Sequence, residues 1–281
     1  MKISLAESAG FCFGVKRAID MALKAAKAGR KAYALGDIVH NEKVCERIVR
    51  AGIKKTKKLL RGKNRAFLIR AHGVPLQLVK KARRLGYSII DATCPMVKQI
   101  HKIVRKMENK GYKIIIIGDR KHEEVQGIKG QLKFGAVVIE SIKDLRLKEI
   151  KKIKKACAVA QSTQNVGQTQ KIIDKLKKHI PELKFFDTIC SATKIRQEEI
   201  SRMPAKNDLM IIIGSRSSAN TRRLYQISKS LNRKSYWINS RPEIKKDWFK
   251  NAQKVGITAG ASTPPEAIQE IVSYISGINC S

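Results

Sequence analysis

The chain contains 281 residues, enough for two domains of ordinary size or three small ones. Hydrophobic residues make up 43%, which excludes a wholly disordered chain even though 59 Lys and Arg against 23 Asp and Glu give a formal net charge of +36. No apolar run approaches the roughly 20 residues that cross a bilayer. The N-terminus also lacks the apolar segment of a signal peptide. We therefore expect a soluble, cytoplasmic protein.

The high positive charge is compatible with nucleic-acid binding, because basic faces release counterions from phosphates. However, Lys and Arg are spread along the whole chain, and aromatic residues, only 5%, do not alternate with basic ones as in base-stacking surfaces. Attraction for anionic small molecules or for an acidic partner protein fits the charge equally well. A basic nucleic-acid-associated protein with structural cysteines stays open as the alternative.

Short apolar runs alternate with segments of helical periodicity along the full length of the chain. Strands are predicted at residues 3–6, 32–35, 66–69, 88–90, 113–117, 136–139, 158–160, 184–186, 209–213, 236–238 and 255–258. Helices are predicted at residues 15–28, 41–50, 76–84, 97–109, 167–179, 193–202, 221–231 and 265–276. This alternation predicts an α/β fold with parallel sheets. The basic stretches 54–65 and 148–155 are interpreted as solvated surface.

Three segments of the sequence resemble one another. Residues 7–19 read ESAGFCFGVKRAI, residues 91–103 read DATCPMVKQIHKI, and residues 187–200 read DTICSATKIRQEEI. Each contains a cysteine after a predicted strand, a lysine four residues later, and a helical pattern beyond. We predict three similar small α/β domains, at residues 1–95, 96–190 and 191–281, with residues 1–13 as a candidate for packing with the third.

The three repeated cysteines are Cys12, Cys94 and Cys190. Each lies between a strand and a helix N-terminus, where the helix dipole stabilises a thiolate and so favours metal ligation. No C-x-x-C pair occurs among the six cysteines, so any metal ligands come from distant parts of the chain. Three converging thiolates can hold an iron–sulfur cluster, whose usual ligands are four cysteines, and leave one iron open. The other interpretation is that these cysteines are small apolar fillers of the core.

Further polar residues follow other strands. His40, His72 and His122 each come after a predicted strand, and Glu124 lies two residues beyond the last of them. Imidazoles in this position can donate to an anion, and a buried carboxyl can relay protons. The turns GSRSSAN (214–220) and TAGASTP (258–264) carry hydroxyls and amides that suit a phosphate or act as helix N-caps. Neither matches a glycine-rich nucleotide-binding loop.

Eight segments occur in a familiar order: GFCFGVKRAI, DIVHN, AHGVP, DATCPMV, HEEVQG, TICSAT, GSRSSANTRRL and GITAGASTP. Together they resemble the 4-hydroxy-3-methylbut-2-enyl diphosphate reductase family, whose members catalyse the last step of the non-mevalonate isoprenoid pathway. The resemblance extends from residue 9 to about residue 276. It implies a trefoil of three α/β domains with pseudo-threefold symmetry around a central [4Fe–4S] cluster. It also implies reductive dehydroxylation of (E)-4-hydroxy-3-methylbut-2-enyl diphosphate to isopentenyl and dimethylallyl diphosphate.

The same resemblance implies the roles of individual residues. Cys12, Cys94 and Cys190 match the cluster ligands, with one iron left open, and Glu124 matches the proton donor to the leaving hydroxyl. The substrate-binding residues that it implies are His40, His72, His122, Ser162, Thr163, Ser217, Ser218, Asn220 and Ser262. Cys45, Cys157 and Cys280 match no assigned position.

The family resemblance also implies an external electron donor of the ferredoxin or flavodoxin type, since the chain has no flavin or nicotinamide signature. Such donors are acidic, so part of the +36 charge is expected to steer one to this protein. The sequence departs from the family pattern at three positions. Ser162 stands where threonine is usual, Ala219 where the second serine of a Ser-Ser-Asn run is usual, and Ile195 where asparagine is common.

Overall fold

A computed structural model describes residues 1–29, 31–62 and 64–278. Within these ranges β-strands and α-helices alternate, as the apolar pattern predicts. The strands are β1 (Lys2–Leu5), β2 (Lys31–Leu35), β3 (Lys54–Thr56), β4 (Arg65–Ile69), β5 (Tyr87–Asp91), β6 (Lys113–Ile117), β7 (Ala136–Ile139), β8 (Lys155–Ala160), β9 (Glu182–Phe186), β10 (Leu209–Ile213), β11 (Ser235–Ile238) and β12 (Lys254–Ala259). The helices are α1 (Phe13–Lys27), α2 (Glu42–Arg50), α3 (Leu76–Arg84), α4 (Pro95–Asn109), α5 (Glu123–Lys129), α6 (Leu147–Ile150), α7 (Val166–Lys177), α8 (Ser191–Arg202), α9 (Ala219–Leu231) and α10 (Pro265–Ser276).

The strands form three four-stranded parallel sheets, which confirms the predicted α/β class. Their strand orders are β1-β12-β10-β11, β5-β4-β2-β3 and β9-β8-β6-β7. These orders are equivalent: in each sheet the first inner strand pairs with the edge strand that follows it in the chain, and the second inner strand pairs with the second edge strand. In the first sheet, the second edge strand is β1, from the N-terminal end of the chain. The sequence repeat thus corresponds to one topology used three times.

Both faces of each sheet are covered, and this explains the continuous apolar runs. In β6, Ile114 and Ile116 pack into the core on one side, whereas Ile115 and Ile117 pack into the core on the other. The same alternation occurs in β10 (Leu209–Ile213), whose five residues are all buried and divide between two apolar clusters. Alternate strand residues point to opposite faces, so a strand between two helical layers has no polar face.

The described chain forms two compact units by its internal contacts. One comprises Met1–Lys16, His40–Val44 and the described residues from Ser191 onward, including the sheet that contains β1. The other comprises Arg17–Val39 and Cys45–Cys190, with the other two sheets. The boundaries of the three predicted domains stay a prediction. Among the described residues, no helix is both long and apolar enough to cross a lipid bilayer.

Two basic stretches contain more structure than the sequence indicates. Residues 54–65 were expected to be solvated surface, yet Lys54–Thr56 forms the edge strand β3, which pairs with β2. Residues 148–155 include most of α6, and the side chain of Ile150 is 2% exposed in the core. A lysine-rich segment can supply backbone hydrogen bonds at a sheet edge because its side chains stay in solvent, so composition does not reveal the strand.

Candidate functional site

The three repeated cysteines lie at the start of long helices. Cys12 directly precedes α1, Cys94 is the N-cap residue of α4, and Cys190 directly precedes α8. These helices contain 15, 15 and 12 residues, respectively. Because the unpaired amides of a helix N-terminus carry partial positive charge, each position favours an anionic sulfur.

The backbone holds all three cysteines in the same way. Each cysteine follows an edge strand, and its amide donates to the carbonyl of the loop residue that follows the neighbouring inner strand. The pairs are Cys12 to Ala261 at 3.1 Å, Cys94 to Ala71 at 2.9 Å, and Cys190 to Ser162 at 3.0 Å. The repeat that the sequence suggests therefore extends to hydrogen bonding at the three turns.

The remaining cysteines differ in environment. Cys157 is fully buried within β8, and burial raises the pKa of its thiol to about 12. Burial also raises the pKa of Cys45, whose Sγ donates to the carbonyl of Val39 at 3.2 Å. Both thiols are thus held in the protonated form, which is a poor metal ligand. Cys280 lies outside the described residues.

The donor set at the three turns fits an iron–sulfur cluster. None of the five cysteines of the described chain forms a disulfide, and this includes the thiols at residues 12, 94 and 190. Each is partly exposed, in contrast to the buried Cys157. Partial exposure and a helix N-terminus are the surroundings in which thiolates ligate metals.

A buried acid lies at the start of α5. Glu124 is 1% exposed, and its carboxylate accepts from the amide of Ser162 at 2.6 Å and from the Ser162 hydroxyl at 2.7 Å. Burial raises the pKa of Glu124 above its ordinary value, and the two hydrogen bonds from Ser162 oppose that rise. A carboxyl group with a raised pKa retains its proton closer to neutral pH and can serve as a general acid.

The residues after β8 form a local hydrogen-bond network with the turn after β6. The side-chain oxygen of Gln161 accepts from the amide of Asp119 at 2.9 Å, and its amide group donates to the Thr163 hydroxyl at 3.0 Å. Ser162 lies between these two residues and bonds to Glu124. The hydroxyl that the sequence has in place of the family's threonine thus contacts the acid directly.

Two histidines meet near the acid. His72 and His122 pack edge to face, with ring centroids 5.5 Å apart. His122 is the N-cap of α5, and its Nδ1 accepts from the amide of Glu124 at 3.1 Å. Neutral His122 therefore carries its proton on Nε2, where it can donate to a bound ligand.

His72 lies beside an ion pair, Arg70 with Glu123, that the sequence did not indicate. Glu123 pairs with Arg70, and its other carboxylate oxygen lies 3.7 Å from His72 Nδ1. Burial raises the pKa of Glu123, while the Arg70 guanidinium opposes that rise. The available signal was the double glutamate that follows His122, of which only the second residue was assigned a role. The carboxylate of Glu123 favours an Nδ1–H tautomer of His72, or the imidazolium.

The polar turns after β10 and β12 lie in the same compact unit as His40. Ser218 is the N-cap of α9, and its Oγ accepts from the amide of Thr221 at 3.2 Å. The Ser262 hydroxyl donates to the carbonyl of His40 at 2.8 Å. Ser217 donates its amide to the Ser215 hydroxyl at 3.2 Å. Ser218 is therefore a true N-cap, as the sequence allowed, and its hydroxyl proton stays available to an anion.

Asn220 is the strongest sign of a ligand in this unit. Its side-chain oxygen accepts from the amide of Ala261 at 3.1 Å, which fixes the orientation of the amide group. The residue is 3% exposed, and its Nδ2 has no hydrogen-bond partner within the described chain. A buried amide donor without a partner costs stability unless a ligand or water accepts from it. Ala219 is the first residue of α9 and adds no hydroxyl at this turn.

Comparison with known proteins places these residues in a family. The family model described as LytB protein matches residues 3–276. Two relatives named 4-hydroxy-3-methylbut-2-enyl diphosphate reductase are those of Aquifex aeolicus, 38% identical over 98% of this chain and 96% of the relative, and Clostridioides difficile, 39% identical over 99% and 100%.

Solved structures agree with the sequence relatives. One is described as (E)-4-hydroxy-3-methyl-but-2-enyl diphosphate reductase, the terminal enzyme of the non-mevalonate pathway; it is 38% identical, with a TM-score of 0.72 over 99% of both chains. Another is the E-1-hydroxy-2-methyl-but-2-enyl-4-diphosphate reductase from Plasmodium falciparum, 29% identical, with a TM-score of 0.92 over 100% of this chain and 90% of that one. From the family match over residues 3–276 and from relatives of the same length, this chain belongs to the LytB protein family.

Proposed function

We propose that this chain reduces (E)-4-hydroxy-3-methylbut-2-enyl diphosphate to isopentenyl diphosphate and dimethylallyl diphosphate, the last step of the non-mevalonate isoprenoid pathway. Full-length relatives of that name support this function. The observation that carries it is the buried Glu124, because removal of a hydroxyl as water needs an acid of raised pKa. The reaction consumes two electrons and two protons and releases one water for each substrate.

Cys12, Cys94 and Cys190 are the residues that would hold a [4Fe–4S] cluster. The shared backbone bonding of these three cysteines and their helix N-termini support this assignment. When bound, such a cluster supplies the reducing electrons one at a time and an open iron that acts as a Lewis acid. The electrons come from an external donor of the ferredoxin or flavodoxin type, and the reducing cytoplasm keeps the thiols available.

Glu124 donates the proton that turns the leaving hydroxyl into water. Its carboxyl group is kept protonated by burial and oriented by both hydrogen bonds from Ser162. Gln161 donates to the hydroxyl of Thr163 and so orients the residue that follows Ser162. Excluding water from the buried carboxyl prevents the proton from being lost to solvent before the substrate binds.

The diphosphate is held by neutral donors and imidazoles. Asn220 offers an Nδ2 that has no partner in the described chain, and Ser218 offers a hydroxyl at the N-terminus of α9. Ser217, Ser262 and His40 complete this group, and His72 with His122 supplies donors in the other compact unit. Holding the diphosphate places the hydroxyl end of the substrate relative to the acid.

The test is anaerobic purification followed by iron and sulfide analysis and a turnover assay. We expect about four iron and four inorganic sulfide atoms for each chain, as a [4Fe–4S] cluster requires. We also expect oxidation of reduced methyl viologen that depends on the substrate. Protein without inorganic sulfide, or with a cluster but no substrate-dependent oxidation, would refute the proposal. The family match does not favour the nucleic-acid alternative, which predicts a colourless protein that binds oligonucleotides with steep salt dependence.

A further inference from the structure

A cavity lies beside α3, β5 and α4, and none of the residues assigned to the reaction lines it. Its volume is about 380 Å³, within the range of small-molecule binding sites. The inner wall is apolar and consists of Ile69, Val74, Leu76, Val79 and Ile89, which are buried or half-buried. Because no Phe, Tyr or Trp side chain lines this cavity, it suits an aliphatic group better than a nucleobase or flavin.

The outer rim of this cavity is basic. Arg83, Lys102 and Arg105 line it, are exposed, and have no carboxylate partner within the described chain. Lys98 also lines it but is paired with Asp91 at 2.7 Å, so this pair contributes little net charge. Three unpaired cations around an apolar pocket create a field that attracts an anion.

We propose that this cavity binds a small soluble anion that carries a short apolar tail, such as the phosphate monoester of a short-chain alcohol. The tail would occupy the wall around Val79 and Ile89, and the phosphate would lie at the rim between Arg83, Lys102 and Arg105. Arginine binds phosphate oxygens in pairs through its planar fork, which supplies orientation as well as charge. The proposal does not depend on the reductase activity.

His101 lies in the cavity wall and also contacts the loop that carries His72. Its imidazole lines the cavity, yet the same ring lies against Gly73, the residue after His72: a Cβ on Gly73 would be 2.7 Å from His101 Cε1. His101 is 8% exposed, and burial lowers the pKa of its imidazole to about 4. It is therefore neutral at pH 7 and leaves the positive charge to the rim. None of the residues assigned to the diphosphate lines this cavity, so its ligand would occupy a distinct site.

The experiment is calorimetric titration of the anaerobic, cluster-loaded chain with hexyl phosphate, 1-hexanol and inorganic phosphate. We expect hexyl phosphate to bind at least about tenfold more tightly than either of the others, because only it uses both the apolar wall and the basic rim. Equal affinity for hexyl phosphate and inorganic phosphate would overturn the proposal, since the wall would then contribute nothing. Binding to phosphatidate vesicles with no response to hexyl phosphate would overturn it as well.

Substitutions in and next to the cavity lining test whether hexyl phosphate binds there. Arg105→Glu should weaken hexyl phosphate binding by about tenfold or more, because it reverses one charge at the rim. Lys106→Glu makes the same charge change at the next exposed position of α4, which does not line the cavity, and should leave the affinity within about twofold. Val79→Phe should also abolish binding by filling the apolar wall.

Asn220→Ala distinguishes the cavity from the proposed diphosphate site. We expect it to leave hexyl phosphate binding unchanged, because Asn220 does not line the cavity. Binding that is lost in Asn220→Ala and retained in Arg105→Glu and Val79→Phe would place the probe at the diphosphate site and refute the second site. That outcome would leave the proposed reductase function intact, so the two proposals fail separately.

Discussion

At the scale of single residues, the proposed chemistry depends on the burial of one carboxyl group. Burial of the Glu124 side chain raises its pKa and so favours the protonated form, and Ser162 limits that rise by donating twice to the carboxylate. Such a balance between burial and hydrogen bonding is how proteins adjust an acid to the pH at which it works. The acid and its serine are 38 residues apart in the chain.

Replacing the acid by its amide tests its role most directly. Glu124→Gln should lower kcat by about 10²–10⁴-fold, because the amide cannot donate the proton that the leaving hydroxyl needs. The variant should still fold and bind iron, since glutamine has nearly the same size and keeps an oxygen acceptor for Ser162. Steady-state assays of equally iron-loaded proteins give the measurement. Glu149→Gln, at an exposed glutamate on α6, is the control and should retain wild-type kcat.

Removal of the serine hydroxyl predicts a shift in pH dependence. The Ser162 side-chain bond lowers the pKa of Glu124, so Ser162→Ala should raise that pKa further, while the backbone amide of residue 162 still donates. Because Glu124 acts in its protonated form, activity declines as pH rises through its pKa, and the alkaline limb should move to higher pH. Rate–pH profiles of wild type, Ser162→Ala and Ser162→Thr measure this. An alkaline limb of Ser162→Ala that is unchanged or at lower pH would contradict the assignment, and Ser162→Thr should behave as wild type.

The missing hydroxyl at the start of α9 gives another prediction. Ala219→Ser should lower the KM for the diphosphate substrate by about two- to tenfold, the effect of one additional hydrogen bond to a charged group, and leave kcat unchanged. Ala219 is the first residue of the helix and is 3% exposed beside Asn220. A kinetic comparison at saturating reductant measures this, with Ala192→Ser on α8 as a control. An unchanged KM would show that the turn needs no second serine hydroxyl.

Among the secondary-structure elements, helix α5 was not predicted from the sequence. It contains only seven residues, and its first turn carries two charged residues, Glu123 and Glu124. The helix forms because His122 caps it and because Val125 and Ile128 pack into the sheet core. Short helices depend on such tertiary packing more than on propensity, so a seven-residue pattern is weak evidence by itself.

Elements whose apolar pattern is clear and is bounded by turn residues were predicted closely. The bounds of β6, β7, β10, α3 and α10 agree with the prediction to the residue. Gly86 ends the α3 segment with a φ of 87°, and Gly111 follows α4 with a φ of 79°, as left-handed caps require. Edge strand β3 was missed because lysines occupy two of its three positions.

A buried histidine in helix α4 leads us to expect that the free energy of unfolding depends on pH. His101 is buried in this helix with a pKa of about 4, against 6.5 when unfolded. As pH falls from 6.5 towards 4, His101 binds a proton in the unfolded state but not in the folded state, so the stability of the fold decreases. Between pH 7.5 and pH 5 this group alone should remove about 2 kcal/mol. Denaturant unfolding at both pH values should show a smaller decrease for His101→Gln than for wild type.

The excess of basic residues acts at the scale of the whole molecule. Transfer of electrons from a reduced ferredoxin or flavodoxin should be about tenfold or more slower at 0.15 M than at 0.01 M ionic strength, because the Debye length decreases from about 30 to about 8 Å. Stopped-flow bleaching of the cluster absorbance measures the rate. Methyl viologen radical, a cation, should show no such decrease. Equal ionic-strength dependence for the acidic protein donor and the viologen would show that the charge does not steer the donor.

The features that the sequence by itself determined depend on residues that are close together in the chain. Apolar runs bounded by turns specify three parallel sheets, and the repeated cysteine pattern specifies one thiol at the start of each of three helices. Eight ordered segments were enough to predict the family to which the chain belongs. These features depend on neighbouring residues or on strand ends, and both can be read along the chain.

Contacts between distant segments were decided only by the tertiary structure. Arg70 and Glu123 are 53 residues apart and lie against His72, and Ser162 reaches Glu124 across two strands of one sheet. Such pairs form because packing brings separate loops together, and these loops follow strands of two sheets for Arg70 and Glu123 and of one sheet for Ser162 and Glu124. Periodicity along the chain does not encode this. The burial that raises the pKa of Glu124 has the same origin, since exclusion of water is a property of the assembled core.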